Sequence, residues 1–178
     1  VNVSGEVLEF LLSYCPILER LAVKGSEDLV NLQVSGPALA LKYLDISLCF
    51  RLKSVKICDT NILSFSYWGE SIHLVLENVP LLSEVSIGGN YSGFASDVLP
   101  KLSCCLTQLE VLKLLTRDLQ VRAVNSDNSD MFMFITPHNA LLYVFQVNME
   151  LLELPELTKL KQLVLRIDTR RNMSLIGF

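Results

Sequence analysis

Apolar residues return in a fixed order along most of this chain. "LERLAVKGSEDL" carries Leu18, Leu21, Val23 and Leu29 around polar positions, and "LKYLDISLCFRL" repeats the order with Leu41, Leu44, Ile46 and Leu52. Ile62, Phe65, Tyr67 and Ile72 follow in "ILSFSYWGESI", then Leu82, Val85 and Ile87, then Leu109, Leu112, Leu114 and Leu119, then Leu160, Leu163 and Leu165. The second and third positions of each copy alternate with polar residues. That period of two predicts a short strand with one buried face. The six predicted strands centre on Leu21–Val23, Leu44–Ile46, Phe65–Tyr67, Val85–Ile87, Leu112–Leu114 and Leu163–Leu165.

The copies begin at 18, 41, 62, 82, 109 and 160, so the first four steps are 23, 21, 20 and 27 residues. This is the spacing of leucine-rich repeats. Three residues after the last strand position such repeats carry a small polar residue, which can satisfy backbone groups orphaned at the bend. Ser26, Cys49, Asn90 and Asp168 fit that role, whereas Glu70 and Arg117 depart from it. Between the strands, "LVNLQV" and "LKSVKI" alternate again and predict returning segments that are strands too. Gly36–Pro37 and "CDTN" (Cys58–Asn61) mark the bends.

Two stretches read as helices instead. "GEVLEFLLSY" spaces Val7, Leu8, Leu11 and Leu12 helically, with Ser4 as cap and Pro16 as stop. "SDVLPKLSCCL" does the same, with Ser96 as the expected cap. The fold class is therefore α/β. It is a leucine-rich-repeat solenoid with a parallel inner sheet and irregular strand and helix returns.

The pattern lapses between Leu119 and Leu151, where polar "NSDNSD" precedes apolar "MFMFITPHNALLYVFQVNM". Residues 118–150 are either one degenerate repeat or an inserted segment. The whole chain, 1–178, reads as one repeat domain truncated at both ends. A solenoid without end caps leaves apolar faces wet, so the isolated chain is expected to associate.

Composition sharpens this. Half the residues are apolar and 19% charged, which suits either a slice of something larger or a protein that buries surface in a partner. A net charge of −4 argues against nucleic-acid binding and against an anionic membrane surface. No uninterrupted apolar run reaches the length of a membrane span. The opening residues do not read as a secretory signal, and the five cysteines form no CxxC. The chain therefore reads as intracellular, cytoplasmic or nuclear, with free thiols packed as small hydrophobes.

Candidate chemistry is sparse. "GGNYSG" (Gly88–Gly93) lacks the surroundings of a nucleophile elbow or a phosphate loop, and reads as a turn after a strand. His73 lies in an expected return strand without an acid or thiol at fixed spacing. Glu6, Glu9, Glu27 and Asp28 make no dyad. The chain is read as a non-enzyme with no catalytic residue, metal or cofactor.

"VLEFLLSYCPILERLAV", "LALKYLDISLCFRLKSVKI" and "NILSFSYWG" resemble the leucine-rich-repeat region of plant F-box proteins, those that often carry a C-terminal FBD segment. "NVPLLSEVSI", "LPKLSCCLTQLEVLKL" and "LPELTKLKQLVL" continue the likeness. The resemblance implies work as the substrate-recognition part of a ubiquitin-ligase adaptor. The Skp1-like subunit of such a ligase is reached through an F-box, and no F-box is in this chain. Related repeats occur in plant immune receptors, which is the alternative reading. A non-functional fragment is the third.

The expected partner is a protein target, held on the concave face of the inner sheet. Arg20, Lys24, Tyr43, Asp45, Ser66, Trp68, Glu84, Lys113 and Arg166 fall between the buried strand positions and so point outward. Tyr43 and Trp68 are the expected anchors, although Trp68 reads equally as core filler.

Overall fold

The computed structural model describes residues 2–37, 39–89, 94–116 and 157–167. Among the described residues nine strands form two parallel sheets. The long sheet contains β1 (Arg20–Lys24), β3 (Tyr43–Ser47), β5 (Ser64–Trp68), β7 (Glu84–Gly89), β8 (Val111–Thr116) and β9 (Gln162–Ile167), neighbours in that order. The return sheet contains β2 (Asn31–Ser35), β4 (Ser54–Cys58) and β6 (His73–Glu77). The chain passes from one sheet to the other at each half-turn, as a solenoid does.

All six long-sheet strands fall on the expected centres, and the register keeps like positions together. Leu21, Leu44, Phe65, Val85, Leu112 and Leu163 are successive partners. Leu32, Val55 and Leu74 form the matching row of the return sheet. Both rows point inward. The core is the apolar layer between the sheets, closed at its sides by Leu41, Ile62, Leu82, Leu29, Leu52 and Ile72. Leu44 is 1% exposed.

Backbone hydrogen bonds continue the ladder beyond the strands. Each residue that leads into a long-sheet strand donates to its counterpart one coil earlier, as Lys42 N does to Glu19 O (2.8 Å) and Lys161 N to Glu110 O (2.8 Å). The bends after the strands need positive φ, which Gly25, Gly36, Asp59, Asn78 and Leu48 adopt. Asp and Asn tolerate that region, but Leu48 at φ 57° carries local strain. The buried small-polar position works as expected in the first coil. Val3 N–H donates to Ser26 Oγ (2.9 Å) and the Ser26 hydroxyl donates to Val3 O (2.8 Å). Asn90, Arg117 and Asp168 lie outside the described residues.

Helices replace return strands at either side of the three-stranded sheet. Helix α1 (Gly5–Tyr14) borders β2, and Ser4 caps it through Val7 N, as its sequence predicts. Its Glu9 carboxylate accepts from Gln33 N (2.9 Å), covering the open edge of β2. Helix α2 (Phe94–Leu102) borders β6, with Lys101 Nζ donating to Ile72 O (2.7 Å). It starts at Phe94, so Ser96 lies inside the helix and is not its cap.

Of the helically spaced apolar residues of α1, Leu8 and Leu12 face the core, while Val7 and Leu11 are exposed. Together with Phe10 and Tyr14 they form an outward apolar stripe, and Ile17 beyond the helix is exposed as well. Two of the five cysteines, Cys15 and Cys104, are at the surface, although all five are free thiols. Gly88 and Gly89 belong to β7 and do not form a turn.

The sheet passes directly from β8 to β9, with Leu112 partnering Leu163. No strand stands between them, although 51 residues separate that pair in sequence. The expected irregular segment, 118–150, lies outside the described residues.

Candidate protein-binding face

Alternation within each long-sheet strand turns Arg20, Ala22 and Lys24 of β1 outward, and the register extends each into a row across the sheet. One row runs Arg20, Tyr43, Ser64, Glu84, Val111 and Gln162. The middle row runs Ala22, Asp45, Ser66, Ser86, Lys113 and Val164. A third runs Lys24, Ser47, Trp68, Gly88, Leu115 and Arg166. Eight of the nine residues expected at the binding face thus share one sheet surface, and Arg166 holds the matching register position on β9. The side chain of Arg166 lies outside the described residues. Arg20, Lys24 and Asp45 are exposed, whereas Tyr43, Ser66, Trp68, Glu84 and Lys113 are half-buried.

Neighbouring side chains hold several of these groups in place. The Arg20 guanidinium carbon sits 4.2 Å from the centroid of the Tyr43 ring. This cation–π stack leaves the guanidinium donors at the surface. Lys113 Nζ bonds Glu84 Oε1 at 2.6 Å across β7 and β8. Trp68 lies against its register partner Gly88. A Cβ there would come within 2.0 Å of Trp68 Cε3 and 2.3 Å of Cζ3. The glycine therefore makes room for the indole to lie flat. Trp68 is neither core filler nor free, since it packs on the outer face of the sheet. Sequence reading missed Gly88 because it assigned the glycine pair to a turn. The register, which places Gly88 beside Trp68, was the signal that could have found it.

The opposite surface, on the return sheet, carries a shallow depression of about 400 Å³ lined by Glu9, Asn31, Gln33, Ser54, Lys56 and His73, among others. The Ser54 hydroxyl donates to Asn31 Oδ1 (2.7 Å). His73 begins β6 and is exposed. Cys58, at the end of β4, donates to Glu77 Oε2 (3.4 Å). Burial and that carboxylate push its thiol up, so the thiolate that a nucleophile requires is disfavoured. Burial, with the neighbouring Cys104, likewise pushes Cys105 up to about 12. Burial also raises the Tyr67 phenol, whose hydroxyl donates to Glu70 O (2.7 Å). Among the described residues no group of three or more His, Cys, Asp or Glu side chains is placed to hold a metal ion, and no helix is long and apolar enough to cross a membrane.

Among the described residues the long-sheet face offers two aromatic rings held by neighbours, a stacked guanidinium and several small hydroxyls. A family model described as At1g61320/AtMIF1, LRR domain, matches residues 1–129, a span that takes in α1 through β8. No curated protein and no solved structure matches the chain.

Proposed function

The chain belongs to the At1g61320/AtMIF1 leucine-rich-repeat domain family, and we propose that it is a non-catalytic module that binds a protein target on the outer face of its long sheet. Repeat solenoids present extended surfaces of this kind to partners. One observation carries the assignment to this face rather than the return sheet. Tyr43 and Trp68 are both half-buried and both held by a neighbour, Tyr43 under Arg20 and Trp68 over Gly88. An aromatic ring already immobilised loses little entropy on binding, which is what an interface anchor requires. Ser66 between them, and Glu84 and Lys113 beyond, supply the polar surround.

The finer reading is a substrate-recognition part of a ubiquitin-ligase adaptor, working in the cytoplasm or nucleus. The likeness of "VLEFLLSYCPILERLAV" and its successors to F-box repeat regions supports it, and the five free thiols suit a reducing compartment. Contact with a Skp1-like subunit would then run through an F-box.

Affinity capture with the Tyr43→Ala/Trp68→Ala double variant tests the proposal. Loss of the proteins retained by the parent chain, with circular dichroism unchanged, is the expected result. Retention of the same proteins by the folded double variant contradicts it.

A further inference from the structure

Among the described side chains of the long-sheet face, charges are compensated locally except at the β1–β3 end. Lys42 bonds Glu19, Lys113 bonds Glu84, and Lys161 bonds Glu110 (3.0 Å), each pair spanning two neighbouring strands or the turns that lead into them. Arg20 and Lys24 on β1, and Asp45 on β3, are all exposed, and none has an oppositely charged partner within 4 Å among the described residues. The Arg20 guanidinium is nonetheless fixed, since it stacks on Tyr43. A planar donor fork held in one orientation is preorganised for a carboxylate.

The positions of these groups set a spacing. Trp68 lies two strands across from Arg20 and four residues along, and Asp45 sits at the midpoint of that diagonal. With strands about 4.8 Å apart and about 3.3 Å per residue, the diagonal measures about 16 Å, which an extended chain covers in about five residues. Accepting that this face binds protein, we infer that its β1–β3–β5 end takes an extended peptide segment. A carboxylate of that segment docks on Arg20, and an apolar side chain about five residues away lies on Trp68, with Lys24 in the Trp68 row adding positive charge. Asp45 faces the middle of the segment, where backbone N–H groups or a basic side chain suit it and a second acid does not.

A phage-displayed library of random 12-residue peptides, selected on the immobilised intact chain, tests this. Enriched peptides are expected to place Asp or Glu four to six residues from Phe, Leu or Trp. Binding of one such peptide, followed by fluorescence anisotropy, should weaken tenfold or more in Arg20→Gln/Lys24→Gln. Its salt dependence should largely vanish in that variant. Both side chains are exposed, and unchanged emission from the single tryptophan verifies the fold. Absence of enrichment, enrichment without acids, or unchanged affinity in the double variant overturns the inference. Peptides that depend on Trp68 but ignore Arg20 and Lys24 leave the face itself standing. Peptides that bind Tyr43→Ala/Trp68→Ala as tightly as the parent chain remove the face as well.

Discussion

Trp68 and Gly88 are register partners on adjacent strands, and the indole of the first occupies the space where the second has no side chain. The glycine is thereby part of the surface that it helps to shape. Gly88→Ala should lift the indole off the sheet. Because Trp68 is the only tryptophan, its emission reads this directly. A red shift and easier quenching by acrylamide are expected. Crowding by one methyl should cost about 1–3 kcal/mol of stability. Unchanged emission would show that the indole does not depend on the glycine.

Leu44 sits in the middle of the inward row, with Leu21 on one side and Phe65 on the other. Leu44→Asp places an unpaired carboxylate between stacked coils. Urea unfolding should show a loss on the order of 3–5 kcal/mol, or no folded state at all. The exposed Asp45→Leu change beside it should leave stability within about 0.5 kcal/mol.

The alternation around Leu44 was legible because a strand's period of two needs only local sequence. The return strands β2 and β4 were legible for the same reason, and Ser4 announced α1 by its place before a helical spacing. What the sequence withheld depended on tertiary neighbours. Ser96 looks like a cap, but α2 begins at Phe94. Val7 and Leu11 keep helical spacing with the core residues Leu8 and Leu12, yet only the second pair meets β2 and the layer beneath it. Gly88 reads as a bend until Trp68 is seen beside it. Of the proposed binding face, membership followed from alternation alone. The Arg20–Tyr43 stack and the uncompensated charge at β1 required the register between strands 23 residues apart.

The cysteines should separate by reactivity. Cys15 and Cys104 are exposed and should react quickly with a maleimide, while Cys49, Cys58 and Cys105 should wait for unfolding. The buried Cys105 thiol also makes stability depend on alkali. Its folded pKa is pushed from the ordinary 9.0 up to about 12, so the unfolded chain loses the proton first as pH rises. Its stabilising contribution is complete below about pH 9 and is lost progressively between about pH 9 and 12. The slope from this single group is at most about 1.4 kcal/mol per pH unit. Cys105→Ala should flatten that decline, which chemical denaturation at several pH values would measure.

The outer stripe of α1 should drive association of the isolated chain. Phe10 is 61% exposed, Tyr14 72% and Ile17 86%, and the Phe10 and Tyr14 rings pack together with centroids 4.3 Å apart. Exposed apolar side chains gathered on one helix face are uncommon on a monomer. Sedimentation velocity should show concentration-dependent oligomers that Phe10→Gln/Ile17→Gln reduces. Oligomers unaffected by the pair of changes would place the contact elsewhere.

Site-specific photo-crosslinking tests most directly whether the long-sheet face is the binding surface. A benzophenone side chain at position 45 would stand at the centre of β3, and one at position 56 at the centre of β4 on the opposite surface, both exposed. Irradiation in extract from cells that express the protein should yield a discrete adduct from position 45 and none from position 56. The adduct should disappear when Tyr43→Ala and Trp68→Ala are added. An adduct from position 56 alone, or one from position 45 that survives both substitutions, would contradict binding through this face.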